Sequence, residues 1–90
     1  PGDVLVDIGL HREEHSELAA FENAVRNIPE VMECYLMTGE FDYLLRVVVA
    51  DMADFERIHK EELTRLPGVA RVNSSVAIRK VLKRTALPLR

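Results

Sequence analysis

The sequence predicts an α+β fold with the element order βαββαβ, and two periodic patterns support this assignment. Apolar residues alternate with other residues at positions 4–10, which is the period of a β-strand. Apolar residues recur every three or four positions at 18–28 and again at 52–66, which is the period of a helix. A chain of 90 residues has room for one such domain.

The first half of the chain supplies three strands and one helix, and the second and third strands form a hairpin. After the strand at 4–10, Ser16 is the predicted N-cap of the first helix, because its hydroxyl can accept a hydrogen bond from a free backbone amide. Pro29 ends that helix, since proline has no amide hydrogen and its ring clashes with the preceding turn. A second strand is predicted at 31–38 and a third at 41–50.

The second half begins at the turn of this hairpin. Gly39 and Glu40 are predicted to form a tight turn between two antiparallel strands. Asp51 is the predicted N-cap of the second helix, and the Pro-Gly pair at 67–68 stops it. A long last strand at 69–81 completes the predicted sheet.

A weak internal repeat fixes how these elements combine. Residues 28–31 and residues 66–69, 38 positions apart, each close a helix with proline and open a strand. Two βαβ halves joined by a hairpin form a ferredoxin-like fold, a four-stranded antiparallel sheet with both helices on one face. We assign residues 1–81 to this domain and residues 82–90 to its basic C-terminal tail.

The predicted strands carry apolar side chains on both faces, although the helices can cover only one. Leu5 alternates with Val4 and Val6, and Leu44 precedes Leu45 in the same way. A large apolar face is rarely left exposed on a monomer. We therefore expect the domain to dimerise through its sheet.

Composition excludes several classes of protein. No stretch approaches the roughly 20 apolar residues that cross a membrane. Cys34 is the single cysteine, so it has no partner within the chain, and its apolar neighbours predict a buried structural thiol in the reducing cytoplasm.

Charge is distributed unevenly along the sequence. Residues 1–68 hold six basic and fifteen acidic groups, whereas residues 69–90 hold six basic and no acidic groups. A solvated or self-complementary tail and a nucleic-acid-binding patch are both possible interpretations. The tail has no aromatic residue, and the acidic remainder would repel phosphate, so we expect no direct DNA binding by this chain.

The sequence predicts no catalytic residue, no metal site and no cofactor. His11 and His15 could share a metal ion with Glu13, but a hydrated loop explains them equally well. His59 lies on the apolar stripe of the second helix, where a structural histidine is the simpler interpretation. No nucleophile–base spacing and no phosphate-binding glycine loop is present in the sequence.

The most informative segment surrounds the predicted hairpin turn. Gly39 allows a tight turn and a close approach of the backbone to another group. Asp42 follows it, between the aromatic Phe41 and Tyr43. Two interpretations stay open: Asp42 stabilises its own turn, or it binds the ammonium of a zwitterion whose carboxylate meets backbone amides.

Three stretches of sequence, in this order and spacing, carry a family resemblance. They are Ile28-Pro29-Glu30-Val31-Met32-Glu33-Cys34-Tyr35 leading into Thr38-Gly39-Glu40-Phe41-Asp42-Tyr43-Leu44-Leu45, Leu66-Pro67-Gly68-Val69-Ala70-Arg71 leading into Ser74-Ser75, and Lys83-Arg84-Thr85-Ala86-Leu87-Pro88-Leu89. Together they resemble the C-terminal effector-binding domain, or RAM domain, of the Lrp/AsnC (feast/famine) transcription regulators. The resemblance covers nearly the whole chain.

This resemblance implies a cytoplasmic domain that pairs sheet to sheet into a homodimer and assembles further into tetramers or octamers. It also implies that an amino acid or related small metabolite binds between dimers, against the hairpin turn and the last strand. The corresponding residues here are Met37, Thr38, Gly39, Glu40, Asp42, Tyr43, Asn73, Ser74 and Ser75.

Two features depart from the family pattern. Val72 stands where the family often has threonine, which removes a hydroxyl, and these residues contain no helix-turn-helix. We therefore expect either the effector-binding part of a regulator or a stand-alone version of it. Three alternatives remain: an assembly module without a ligand, an ACT-type amino-acid-binding domain, and a small enzyme of the dimeric α+β-barrel type.

Overall fold

The computed structural model describes residues 2–87 and contains the predicted elements in the predicted order. They are β1 (Gly2–Leu10), α1 (His15–Val25), β2 (Val31–Leu36), β3 (Tyr43–Val49), α2 (Met52–Glu61), a 3₁₀ turn (Leu63–Arg65) and β4 (Val69–Val76). The strands form one antiparallel sheet in the order β2-β3-β1-β4. The predicted α+β, ferredoxin-like fold is confirmed.

Alternation along the central strands creates the face that the helices cover. Val6 and Ile8 of β1 and Leu45 and Val47 of β3 are fully buried. They form one core with residues from the helices and the 3₁₀ turn, namely Phe21, Val25, Phe55, Ile58 and Leu63. Burying each such side chain stabilises the fold by about 1.5–3 kcal/mol. None of the helices within residues 2–87 is long and apolar enough to cross a bilayer.

The opposite face of the sheet, called the open face below, is less apolar than the sequence predicts. Its side chains, given by strand alternation and register, include Asp3, Leu5, Asp7, Glu33, Tyr35, Leu44, Arg46 and Val48. Arg46 pairs with both Asp3 and Glu33 at 3.0 Å. The register thus brings three charged side chains together beside the apolar ones.

The edge strand β2 is left open on the helix side as well. Cys34 and Leu36 pair with Leu45 and Tyr43, so they share the face of the core. Even so, Cys34 is exposed and Leu36 is 61% exposed. The prediction of a buried structural thiol is wrong, because α1 packs through Phe21 onto β3 and does not reach the edge.

The start of α1 differs from the prediction, whereas the start of α2 confirms it. α1 begins at His15, and the Ser16 hydroxyl bonds the neighbouring Glu17 carboxylate, so Ser16 is not the N-cap. In α2, the Asp51 carboxylate accepts a hydrogen bond from the Asp54 amide at 2.8 Å. Asp51 is therefore a true N-cap.

The last strand ends at Val76 and not at residue 81 as the sequence predicts. Val76 pairs with Val4, and the register between β4 and β1 ends at this pair. Residues 77–87 continue beyond it as an exposed segment without helix or strand.

Replacing Asp51, which caps α2, and Ser16, which does not cap α1, should change the stability of the domain by different amounts. We expect Asp51→Ala to lower the free energy of unfolding by about 1 kcal/mol, because the Asp54 amide loses its acceptor. That loss lowers the melting temperature by roughly 4–8 °C in a domain of this size. Ser16→Ala is the matched control and should change the melting temperature little. Equal losses in the two variants would contradict the assignment of the cap.

Candidate functional site

Residues 37–42 join β2 to β3 as one loop, which is longer than the predicted two-residue turn. The Met37 amide donates to the Asp42 carbonyl at 2.9 Å and closes the loop. Gly39 has φ of 104°, a left-handed conformation that glycine adopts without strain. The Asp42 amide donates to the Ile8 carbonyl of β1 at 2.8 Å, so the end of the loop is bonded to the neighbouring strand.

The carboxylate of Asp42 fastens this loop to the end of β1. Its Oδ2 accepts a hydrogen bond from the Leu10 amide at 2.7 Å, between residues 32 positions apart. A hydrogen bond to an ionised acceptor is about twice as strong as a neutral one. Asp42 therefore has a structural role. It joins its own loop to the neighbouring strand β1, and does not stabilise the turn alone.

A second carboxyl group lies against the first. Glu13, in the connection between β1 and α1, lies close enough to Asp42 for the two carboxyl groups to interact. Side-chain hydrogen bonding with Asp42, and then its charge, raise the pKa of Glu13, because protonation lets one carboxyl donate to the other and removes their repulsion. The sequence predicts only a polar loop around Glu13, and no local sequence pattern predicts its contact with Asp42.

Arg71 of β4 holds the loop from the other side. Its Nη2 donates to the Glu40 carbonyl at 2.9 Å, and its guanidinium lies 4.5 Å from the centroid of the Phe41 ring. A Cβ on Gly9 would stand 3.0 Å from the Arg71 Nε, so the absence of a side chain there lets Arg71 cross β1. Arg71 thus ties β4, β1 and the loop together, and sequence analysis missed this role.

Removing Arg71 should loosen the loop more than the fold. We expect Arg71→Ala to speed amide hydrogen exchange at residues 38–41 at least several-fold, while the global free energy of unfolding falls by only about 1 kcal/mol. Arg71→Lys keeps the charge but not the planar guanidinium, so it should give an intermediate rate. Arg65→Ala, which removes an exposed arginine of the 3₁₀ turn, is the control. Unchanged exchange in Arg71→Ala would contradict the role of this side chain.

Tyr43 was predicted to contact the ligand together with the loop residues, but its side chain lies in the core. Its residue is 1% exposed, and its ring stacks on Phe21 with centroids 4.5 Å apart. The hydroxyl donates to the Glu22 carboxylate. Burial, followed by this hydrogen bond, raises the pKa of Tyr43 well above its ordinary value.

An open cleft of about 320 Å³ lies between α1 and the exposed edge strand β2. It is lined by Glu22, Val25, Arg26, Cys34, Leu36 and Tyr43. Although the residue is exposed, the surrounding cleft atoms partly shield its thiol from water, and this desolvation, followed by the charge of Glu22, raises the pKa of the Cys34 thiol. The thiol is therefore protonated at neutral pH and is a weak nucleophile.

The predicted contacts on the last strand lie two strands away from β3. Asn73, Ser74 and Ser75 are exposed, and they pair with β1 residues 7, 6 and 5 respectively. Asn73 and Ser75 face the open side, whereas Ser74 faces the helix side. Because β1 separates β4 from β3, a ligand in contact with both the loop and β4 has to span β1 or lie between two chains.

The histidines contribute no metal centre in the part of the chain that is described. Across residues 2–87, no three His, Cys, Asp or Glu side chains gather as metal ligands do. His59 packs beside Phe55 on α2, with ring centroids 6.0 Å apart, which is a packing contact within the helix layer.

The model of the Lrp/AsnC ligand binding domain family matches residues 3–87. The chain belongs to this family. An HTH-type transcriptional regulator of Sinorhizobium fredii is 56% identical over 79 residues, and the Bkd operon transcriptional regulator of Pseudomonas aeruginosa is 42% identical over 86. These alignments cover 88% and 96% of this chain but 62% and 56% of the relatives, so the chain spans little more than half their length.

A solved structure supports the same assignment. The Neisseria meningitidis transcriptional regulator determined in complex with L-Met superposes with a TM-score of 0.85 at 30% sequence identity. The superposition covers 97% of this chain and 56% of that one. The three relatives are all named as transcription regulators.

In this Lrp/AsnC domain, the residues predicted to contact a ligand occupy three separate places. Met37, Thr38, Gly39, Glu40 and Asp42 lie together in the loop. Tyr43 is in the core, and 73–75 are on β4. The loop is the part of the predicted site that one chain assembles alone, and Glu13 and Arg71 belong with it.

Proposed function

We propose that this domain senses an amino acid for a transcription regulator and assembles that regulator through its sheet. The contacts of the ligand are the loop residues with Asn73, Ser74 and Ser75, and Tyr43 supports the loop from the core. The L-Met bound by the Neisseria meningitidis relative makes a free amino acid, or a close metabolite, the ligand class to test first.

The loop 37–42 is the observation that carries this proposal. Among the described residues, the amides of residues 38–40 donate to no backbone carbonyl, so they are available to a carboxylate. Asp42 and Glu13 place negative charge beside them, which suits an ammonium group. Met37, 44% exposed, adds an apolar contact for a side chain.

Assembly is the second part of the proposal. Leu5 and Tyr35 are 41% and 50% exposed on the open face, and a facing sheet would remove them from water. We infer a homodimer through this face, with tetramers or octamers in which the loop of one dimer meets another. We propose residues 1–81 as the domain and residues 82–90 as its tail, with the last regular element, β4, ending at Val76; residues 1 and 88–90 lie outside the described structure.

DNA binding would come from another part of the regulator or from a partner. The Sinorhizobium fredii relative is named as an HTH-type regulator, and this chain aligns with 62% of it. We therefore assign no direct contact with DNA to this chain and place it in the cytoplasm.

A thermal-shift screen tests the sensing function. Each standard L-amino acid is added at millimolar concentration, with its D enantiomer as the control for non-specific effects. A ligand at one hundred times its Kd stabilises the folded state by about 2.7 kcal/mol, which raises the melting temperature by roughly 10 °C or more. If no L-amino acid or close analogue shifts the transition, sensing by this domain is wrong.

Val72 favours a second candidate, an assembly module that has no ligand. This side chain is partly buried and packs against the core, so β4 offers no hydroxyl at this position. Under this alternative the wild-type chain assembles but fails the thermal-shift screen.

A further inference from the structure

The outer side of β2 is an unpaired sheet edge. Within residues 2–87, β2 pairs with β3 alone, so the backbone amides and carbonyls that point away from β3 have no partner in the sheet. Met32, Tyr35 and Leu36 along this strand are 49%, 50% and 61% exposed. An exposed edge with large apolar side chains is a template for the addition of one more strand.

The segment after β4 has unpaired backbone as well. This C-terminal arm, residues 77–87, is exposed throughout and forms neither helix nor strand. Within the described residues it makes none of the backbone hydrogen bonds found outside the regular elements. Ile78, Val81 and Leu82 are 98%, 80% and 63% exposed. The arm and the edge of β2 therefore both need backbone partners and cover for apolar side chains.

An extended arm would have two chemically different sides, because alternate residues of a strand point the same way. One side consists of Ile78, Lys80 and Leu82, and the other of Arg79, Val81 and Lys83. The first side is mainly apolar with one cation, and the second is mainly basic.

The helix side of β2 suits the first of these sides. Cys34 and Leu36 line the cleft of about 320 Å³ beside α1. Glu22 lines the same cleft and takes part in no salt bridge found within residues 2–87. Arg26 also lies there, with its Nη1 bonded to Asn23 at 3.0 Å, so the cleft has little net charge. Apolar contact and backbone hydrogen bonds are therefore the main attractions, and one cation can meet Glu22.

We propose that the arm of a second copy adds to the edge of β2 as a fifth strand of the sheet. Ile78 and Leu82 of that arm cover Leu36 on the helix side, and Lys80 faces Glu22. This inference rests on the proposed homodimer. It leaves the open face to the facing sheet and assigns the arm to the edge beside it.

A second copy fits this edge better than the same chain does. β4 and β2 are opposite edges of the sheet, with β1 and β3 between them, so they lie about 14 Å apart. An arm of the same chain would have to cross either the helix layer or the open face. The facing copy already lies next to β2, because Tyr35 belongs to the open face. In a two-fold dimer both arms exchange, so both edges are covered.

Disulfide cross-linking to the native Cys34 tests this arrangement. Single cysteines are introduced at positions 78–82 of the arm, and each variant is oxidised with diamide. We expect several-fold more covalent dimer from the cysteines at 78, 80 and 82 than from those at 79 and 81, because only the former share a side with Cys34. Glu56→Cys, on the exposed side of α2, measures random collisions, and the unchanged chain measures pairing of Cys34 with itself. Adding Cys34→Ser should abolish the cross-link to Cys34.

The dimer dissociation constant, measured by analytical ultracentrifugation, gives a second test. We expect Leu82→Asp to raise it about tenfold or more, because the change places a charge among apolar side chains. Val81→Asp is the matched control, since it introduces the same carboxylate one position away on the other side of the arm. The constant of this control should stay within a few-fold of that of the unchanged chain.

Equal cross-linking at positions 81 and 82, or equal effects of the two aspartates, overturns the added strand. A disulfide within one chain, seen as a faster-migrating monomer on a non-reducing gel, overturns the exchange between copies. A dimeric wild-type chain that fails both tests rejects the arm and keeps the pairing of sheets, whereas a monomeric wild-type chain rejects both. The amino-acid thermal shift, repeated on Leu82→Asp, reports the sensing function separately.

Discussion

Replacing Phe21 with Ala should destabilise the folded domain by about 3–5 kcal/mol, as is typical for a fully buried aromatic residue. Phe21 is completely shielded from solvent, and its ring stacks on Tyr43 at 4.5 Å between centroids. Its loss leaves a cavity between α1 and β3 and removes an aromatic contact worth about 0.5–1.5 kcal/mol by itself. The free energy of unfolding of a small domain is about 5–15 kcal/mol, so this substitution removes a large part of it.

Urea denaturation at one fixed protein concentration measures this loss, since assembly couples stability to concentration. Met52→Ala is the control, because Met52 is also large and apolar but 59% exposed at the start of α2. We expect that control to cost less than about 1 kcal/mol. A similar loss in both variants would show that the Phe21–Tyr43 stack is not the centre of the core.

Asp42→Ala should have the largest effect on ligand binding. It removes the acceptor of the Leu10 amide, which costs about 1–3 kcal/mol of stability when that donor is left unpaired. Under the sensing function it also removes the charge that faces the ammonium, so the thermal shift given by the best amino acid should disappear. Light scattering should report the same oligomer size as for the unchanged chain.

Asp42→Asn separates the two roles of this side chain. The amide oxygen can still accept from Leu10, so most of the stability should remain, while the negative charge is gone. The pKa of Glu13 should then fall toward its ordinary value, which an NMR titration can follow. Glu56→Gln removes an exposed carboxylate of α2 and serves as the control. If Asp42→Asn binds the amino acid as tightly as wild type, Asp42 is purely structural.

Part of the candidate site could be predicted because its features are local. Gly39 marks a position of positive φ, and the structure has φ of 104° there. Asp42 follows it at the end of the same loop. Glu13 and Arg71 could not be predicted in the same way, because each reaches the loop from a distant segment. Contacts between residues some 30 positions apart leave no periodic pattern in the sequence.

The sequence by itself determined the order of the elements and which residues of β1 and β3 share a face, since both follow from the period of apolar residues along a single segment. Only the tertiary structure decided where strands end and which apolar residues stay exposed. β4 ends at Val76, where its pairing with β1 ends at Val4. Cys34 is exposed because β2 is an edge strand that α1 does not reach. A strand ends where its pairing with a neighbour ends, and burial depends on what packs above it, so neither is a property of the local sequence.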